Sequence, residues 1–182
     1  MKVNKALLLY MGNHNCLNDS KNVYSTGEWM LLQEQSWQMP EWWYREKRPP
    51  NDNAYFENMC RVIFQAGLNW HVIDNKWPTT RKAIADFDID KVACFTEADV
   101  ERLLKDGGIV RNKGKIKAII QNAQNFKAIE KKYGSFQKYL DSLDKKENYA
   151  NAVKDLVNKF KWLGPPSASL FLYTVGEKIE PW

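Results

Sequence analysis

Apolar residues recur at helical spacing through most of the chain, and they do so most densely over residues 54–75. Tyr55, Phe56, Met59, Cys60, Ile63 and Phe64 share one broad face, which predicts a helix buried along that side. Asn58, Gln65 and Asn69, with Val62 among them, lie near one line on another face, and Gly67 offers a place for the helix to end or bend. Uncharged amides beside an apolar face and a Gly-Leu-Asn-Trp turn suit a flat polar group that is hydrogen-bonded along its edge and stacked on its face. A solvated polar face has the same spacing.

Further along, Trp77-Pro78 predicts a break, followed by a short helix through Ile84 and Phe87. Thr96 is placed to cap a helix with acidic residues in its first turn, Val100, Leu103 and Leu104 on its buried side, and Asp106-Gly107-Gly108 as its stop. A long amphipathic helix follows, with Ile116, Ile119, Ile120, Ala123, Phe126 and Ile129 on one side. Residues 135–148 read as a short helix and a polar connection. The last part repeats a pattern of helix, Gly164-Pro165-Pro166 turn and apolar helix, the prolines costing no hydrogen bond at a helix start. No convincing run of strands interrupts these segments, so the expected fold class is all-α.

Composition narrows the class. A chain of 182 residues, 44% of them hydrophobic, can bury one sizeable core. No apolar run approaches the roughly 20 residues needed to span a bilayer. The apolar start is followed at once by Gly-Asn-His-Asn, which makes a poor signal peptide, so a cytoplasmic protein is expected. Cys16, Cys60 and Cys94 are too few and scattered for a disulfide framework. His14 and Cys16 could supply two metal ligands, but only His71, Cys60 and Cys94 remain to complete a site and two of these lie in apolar runs; no metal and no cofactor are expected. A formal charge of +5 and a pI near 9.0 favour a polyanionic partner.

Two stretches fit such a partner. Over 41–50, Trp42, Trp43 and Tyr44 stand beside basic residues and end in a proline pair. Aromatics among cations can stack bases while the cations meet phosphates, and they can equally staple a loop to a core. Between Lys105 and Lys117 there are five basic residues with only Asp106 opposing them. Backbone N–H groups there, with Arg111, Lys113, Gly114 and Lys115, could hold a phosphate. A basic turn that is simply solvated has the same composition.

Phe-Gln-Ala-Gly-Leu-Asn-Trp at 64–70, Asp-Val-Glu-Arg-Leu-Leu from Asp99 and Gly-Ile-Val-Arg-Asn-Lys-Gly-Lys-Ile from Gly108 together resemble the DNA-3-methyladenine glycosylase I family of the helix-hairpin-helix superfamily. The similarity covers about residues 50–175. It implies an all-helical fold of two lobes with a nucleobase pocket between them, and hydrolysis of the N-glycosidic bond of alkylated purines such as N3-methylated adenine in damaged double-stranded DNA. It implies residues 41–75 plus the C-terminal region around the pocket, a lobe over about 76–150 bearing the basic hairpin, and a C-terminal helix-hairpin-helix over 151–182. Residues 1–40 are then an atypical N-terminal segment. A monomer, associated with the nucleoid through its DNA, is expected.

By the same resemblance Leu68, on Gly67, is the wedge that enters the base stack. Trp70 and Gln65 line the pocket with Asn58, Val62 and Asn69, and Trp43 or Tyr44, or Trp42 beside them, supplies the opposing wall. Gly164 and Ser167 sit where the superfamily's hairpin grips a phosphate. The pocket reading requires Gln65 and Trp70 to face one slot. Three departures follow. The family's base-reading glutamate is replaced by Val62, its zinc site lacks Cys and His over 160–182, and the catalytic aspartate that many other members of the superfamily carry after the C-terminal helix has no match, none following Asp155. The catalytic group is therefore unassigned, with Glu41, Glu46 and Asp52 the acids nearest in sequence to the pocket. N3-methylated adenine is cationic and departs as a neutral base, so extrusion, desolvation and a positioned water can suffice. A DNA-binding relative without activity and a helical protein-interaction module are the alternatives.

Overall fold

The computed structural model describes residues 40–44 and 47–180. The expectations for Trp29 and Trp37 as anchors, for His14 and Cys16, for Glu46 and for nearly all of the N-terminal segment lie outside these residues.

The described residues form helices without a strand. Helix α1, Asp52–Gln65, starts where the Asn51 side chain accepts the Ala54 N–H. All six apolar residues named from the periodicity are at most 1% exposed. Phe56, Met59, Ile63 and Phe64 each contribute about 1.5–3 kcal/mol by leaving water. Gly67, at φ +71°, turns the chain into α2, Trp70–Ala83. Here the structure corrects an expectation, because α2 runs through Pro78. Trp77, buried and stacked on Phe87 at 5.1 Å, anchors this part of the helix, and the Thr79 and Thr80 hydroxyls both donate to Lys76 O at 2.8 Å. Packing outweighs the proline's preference.

A 3-10 turn at Ala85–Phe87 and the short α3, Ile89–Ala93, stand where one short helix was expected. In α4, Glu97–Lys105, the Asp99 carboxylate accepts the Thr96 N–H at 2.9 Å, which holds its pKa below the usual value. The long α5, Lys113–Tyr133, is capped by Asn112 and stopped by Gly134 at φ +84°. Then come α6, Phe136–Ser142, α7, Lys146–Lys159, and α8, Pro165–Thr174, with its prolines at the first two helical positions.

One connected core reaches from Trp43 to Ile179. At its centre Phe126 and Phe136 stack at 4.2 Å between Phe56, Phe160 and Phe171. The segment before α1 is clasped to the residues after α8. Tyr44 N–H donates to Thr174 O at 2.6 Å, Arg48 meets Asp141 through two bonds of 2.7 and 2.8 Å, and buried Glu177 accepts from Lys145 at 2.8 Å. Gly176, at φ +87°, closes this clasp, since a Cβ there would lie 1.9 Å from Lys47 O. Among the described residues no helix is long and apolar enough to cross a membrane.

Candidate functional site

The α1–α2 hairpin and residues 40–44 line a half-open cavity of about 480 Å³. Helical spacing builds two of its walls. Ala54, Glu57, Asn58 and Arg61 form a stripe along α1, and Asp74, Trp77 and Arg81 form one along α2. Pro40, Glu41, Trp42 and Tyr44 supply the third wall. Three carboxylates (Glu41, Glu57, Asp74) face two guanidiniums (Arg61, Arg81), so this part of a basic protein is locally anionic.

Arg61 organises the cavity. Its guanidinium carbon lies 4.8 Å from the centre of the Trp42 ring and 5.0 Å from that of Trp77, and a nitrogen meets Asp74 Oδ1 at 2.8 Å. Cation–π attraction and the ion pair both favour this position. Glu57 accepts the Trp77 indole N–H at 2.9 Å and lies 3.6 Å from Arg81. Burial, and then the charge of Glu57, push the Tyr44 hydroxyl above its usual pKa, so it is neutral and able to donate.

Of the residues expected at a pocket, the cavity wall holds Asn58, Trp42 and Tyr44, with Glu41 of the nearby acids, and not Val62, Gln65, Asn69, Trp70 or Trp43. Geometry gives a reason for each. Asn58 is buried and bridges three elements, its amide donating to Trp42 O at 2.7 Å and its carbonyl accepting the Thr174 hydroxyl at 2.8 Å. Gln65 is 1% exposed, with Nε2 3.5 Å from Asp74 Oδ1, and the Arg61–Asp74 pair stands between it and the cavity. Its Oε1 is buried with no hydrogen-bond partner among the described residues, as is the Trp42 indole nitrogen. Val62 is buried beside Arg61, and Trp70 is buried one turn before Asp74 on the same stripe of α2. Asn69 is exposed and is the N-cap of α2, accepting the His71 N–H at 2.9 Å. Trp43 packs edge-on against Trp42 and Tyr173 at 5.7 and 5.8 Å. Gln65 and Trp70 therefore do not face the cavity as the pocket reading required; both are buried, one turn along the same two helix stripes from Arg61 and Asp74.

Arg61, Glu57, Asp74, Trp77 and Arg81 were not foreseen. The i, i+3, i+4, i+7 spacing of 54, 57, 58 and 61 was available, but the break expected at Pro78 hid the stripe on α2.

At the tip of the hairpin Leu68 is 37% exposed. The basic turn beside it differs from expectation. Lys115 is buried, and its ammonium donates to Phe64 O at 3.0 Å and Ala66 O at 2.6 Å, closing the C-terminal carbonyls of α1. Desolvation lowers its pKa, and a side chain so committed is not a phosphate ligand. Lys113 lies 3.5 Å and Lys117 2.9 Å from Glu97, an opposing charge brought in from α4. Asp106 already takes the Gly108 N–H at 2.7 Å. Arg111 is exposed. Gly114 packs under the Trp162 ring, where a Cβ would come within 2.6 Å of it. Gly164 caps α8, but two prolines follow, so Ser167 supplies the only backbone N–H of the first three helical positions.

Trp162 stands in this second turn at φ +60°, a conformation that costs a non-glycine residue about 1–2 kcal/mol, and it is 53% exposed. Buried Asn122 fixes the turn, donating to Lys161 O at 3.0 Å and accepting the Lys161 N–H at 2.8 Å.

Comparison with known proteins bears on what this arrangement is for. The model of the methyladenine glycosylase family matches residues 34–167. DNA-3-methyladenine glycosylase 1 of Escherichia coli is 36% identical over 102 residues, which are 56% of this chain and 50% of that protein. The DNA-3-methyladenine glycosylase of Haemophilus influenzae is 29% identical over 123 residues, 68% of this chain and 62% of that protein. The chain therefore matches half to about three-fifths of the length of these relatives. Among solved structures, 3-methyladenine DNA glycosylase I from Staphylococcus aureus superposes with a TM-score of 0.65 at 30% identity, covering 73% of this chain and 80% of the other.

Proposed function

The chain belongs to the methyladenine glycosylase family, and on that premise we propose that it hydrolyses the N-glycosidic bond of alkylated purines in double-stranded DNA, acting as a monomer on the nucleoid. The observation that carries this is the aromatic and locally anionic cavity, lined by the same α1–α2 hairpin whose tip exposes a leucine. Leu68, swung outward by Gly67, enters the stack as the damaged nucleotide leaves it. The extruded purine lies among Trp42, Tyr44 and Trp77, displacing the Arg61 guanidinium that packs on the two indoles. An N3-alkylated adenine is cationic, and three carboxylates against two guanidiniums suit that charge where a neutral base gains nothing from it.

Gln65 and Trp70, with Val62, Asn69 and Trp43, support the pocket from its closed end. For the base to reach Gln65, Arg61 must give way, and the free Gln65 oxygen then accepts from the purine's amino group. No general acid is required, because the leaving group is already positively charged; enclosure and orientation supply the rate. Arg111 and Lys113 meet phosphates beside the wedge, with Gly114 beneath, and the Gly164 turn adds the Ser167 N–H.

The test is release of free base with time from N-methylated duplex DNA. Loss of excision on Leu68→Ala is expected to be larger for a paired lesion than for one already unpaired, since the wedge assists only extrusion. Equal losses would remove the wedge role. A second reading, DNA binding without excision, is favoured by Val62 in place of a carboxylate and by the commitment of Asp74 to Arg61. Duplex affinity with no release of base would select it.

A further inference from the structure

We propose that Trp162 lays the open face of its indole on a nucleobase at the step that Leu68 parts, so that opened duplex is held at two apolar points. This rests on the proposed function and adds a second contact to it. Among the described residues three large hydrophobic side chains are exposed, Leu68, Val72 and Trp162. Leu68 and Val72 lie at the α1–α2 turn, and Trp162 reaches the same place from the turn between α7 and α8. Lys115 links them, its nitrogen 2.6 Å from Ala66 O, two residues before Leu68, and 5.9 Å from the centre of the Trp162 ring.

The position of this ring is built. Phe160 and Leu163 are buried on either side of it in sequence, and Asn122 clamps Lys161 through both backbone groups. Gly114 leaves a notch that any larger residue would fill. Trp162 itself is held in the left-handed region. A ring that merely filled the core would be covered, whereas here a strained backbone presents a large aromatic half to water.

Its neighbours choose the occupant. Lys161 is exposed beside it, Arg111 is exposed on the adjoining turn, and Lys113 is exposed at the start of α5 next to Gly114. Lys113 keeps Glu97 as a partner, but an apolar protein face would set Lys161 and Arg111 against a surface that offers them no anion. A base between phosphates offers a flat apolar surface flanked by anions, the arrangement that aromatics among cations bind.

The experiment compares wild type, Trp162→Ala and Trp162→Phe on two duplexes at one ionic strength, one intact and one with a tetrahydrofuran abasic analogue at its centre. Wild type should prefer the abasic duplex. Trp162→Ala should lose about fivefold or more on that duplex, less than about twofold on the intact one, and Trp162→Phe should retain most of the preference. Equal loss on both duplexes, or no loss, overturns the proposal. So does a fall of several degrees in the thermal midpoint of Trp162→Ala with abasic affinity unchanged, which would mean that another segment of this chain covers the ring. If wild type shows no preference and releases no base, the proposed function falls as well; a wild-type preference that Trp162→Ala leaves intact removes only the stacking role.

Discussion

The turn at 107–112 and the turn at 160–164 meet at the start of α5 and use their residues in opposite ways. The first leads into a run of cations, yet Lys115 is spent on the carbonyls of α1, Lys113 and Lys117 share Glu97, and the carbonyl of Gly107 itself receives Lys76 at 2.6 Å. The second has an aromatic and two prolines, and it exposes Trp162. Formal charge along a sequence is therefore a poor guide to the charge offered to a partner. On the proposed stacking role, an exposed aromatic held outward on a strained backbone is the sharper guide to the surface that binds.

The largest expected effect breaks the first half of this comparison. Lys115→Met should destabilise the protein by about 2–4 kcal/mol, because two carbonyls at the buried end of α1 lose their donor. Thermal or urea unfolding measures this, and a loss below about 0.5 kcal/mol would return Lys115 to the DNA surface. A smaller effect is expected for Arg111→Ala. Stability should stay within about 0.5 kcal/mol, while duplex affinity falls and the slope of log K against log salt decreases by about one. Lys113→Ala, shared with Glu97, should change the slope less. The smallest effect lies in the clasp. Arg48 holds the Asp141 carboxyl below its usual pKa, so its stabilisation is present above the unfolded value and is lost as pH falls toward the folded one. Asp141→Asn should cost less than about 1 kcal/mol at neutral pH, because the pair is partly exposed, and should lessen the loss of stability in acid. An unchanged acid profile would mean that the clasp is not held by this pair.

The helices were legible wherever a residue's burial repeats with the helical period. Tyr55 to Phe64 and Ile116 to Ile129 were found for that reason. Pro78 was misread because local propensity says nothing of Trp77, whose contacts with Phe87 and Glu57 come from elsewhere in the chain. The line of amides was also only half legible. It marked a face that is neither uniformly solvated nor uniformly functional, since Asn58 is buried as a bridge between elements, Asn69 is exposed and caps a helix, and Gln65 is enclosed. Arg61 and Asp74 could not be paired from sequence, because their meeting depends on how Gly67 folds α2 back onto α1. The family was readable because several motifs recur together in one order, and that likeness does not depend on the geometry of any single side chain.

The central claim is that the cavity between α1, α2 and residues 40–44 holds the alkylated base. Titration of the isotopically labelled protein with free 3-methyladenine, followed by amide and indole proton–nitrogen spectra, tests it most directly. The signals of Trp42, Glu57, Arg61 and Trp77 should shift together along one saturable curve, and Arg61→Met should change that curve. Saturable shifts confined to residues away from this cavity, or none at millimolar base, would contradict the claim.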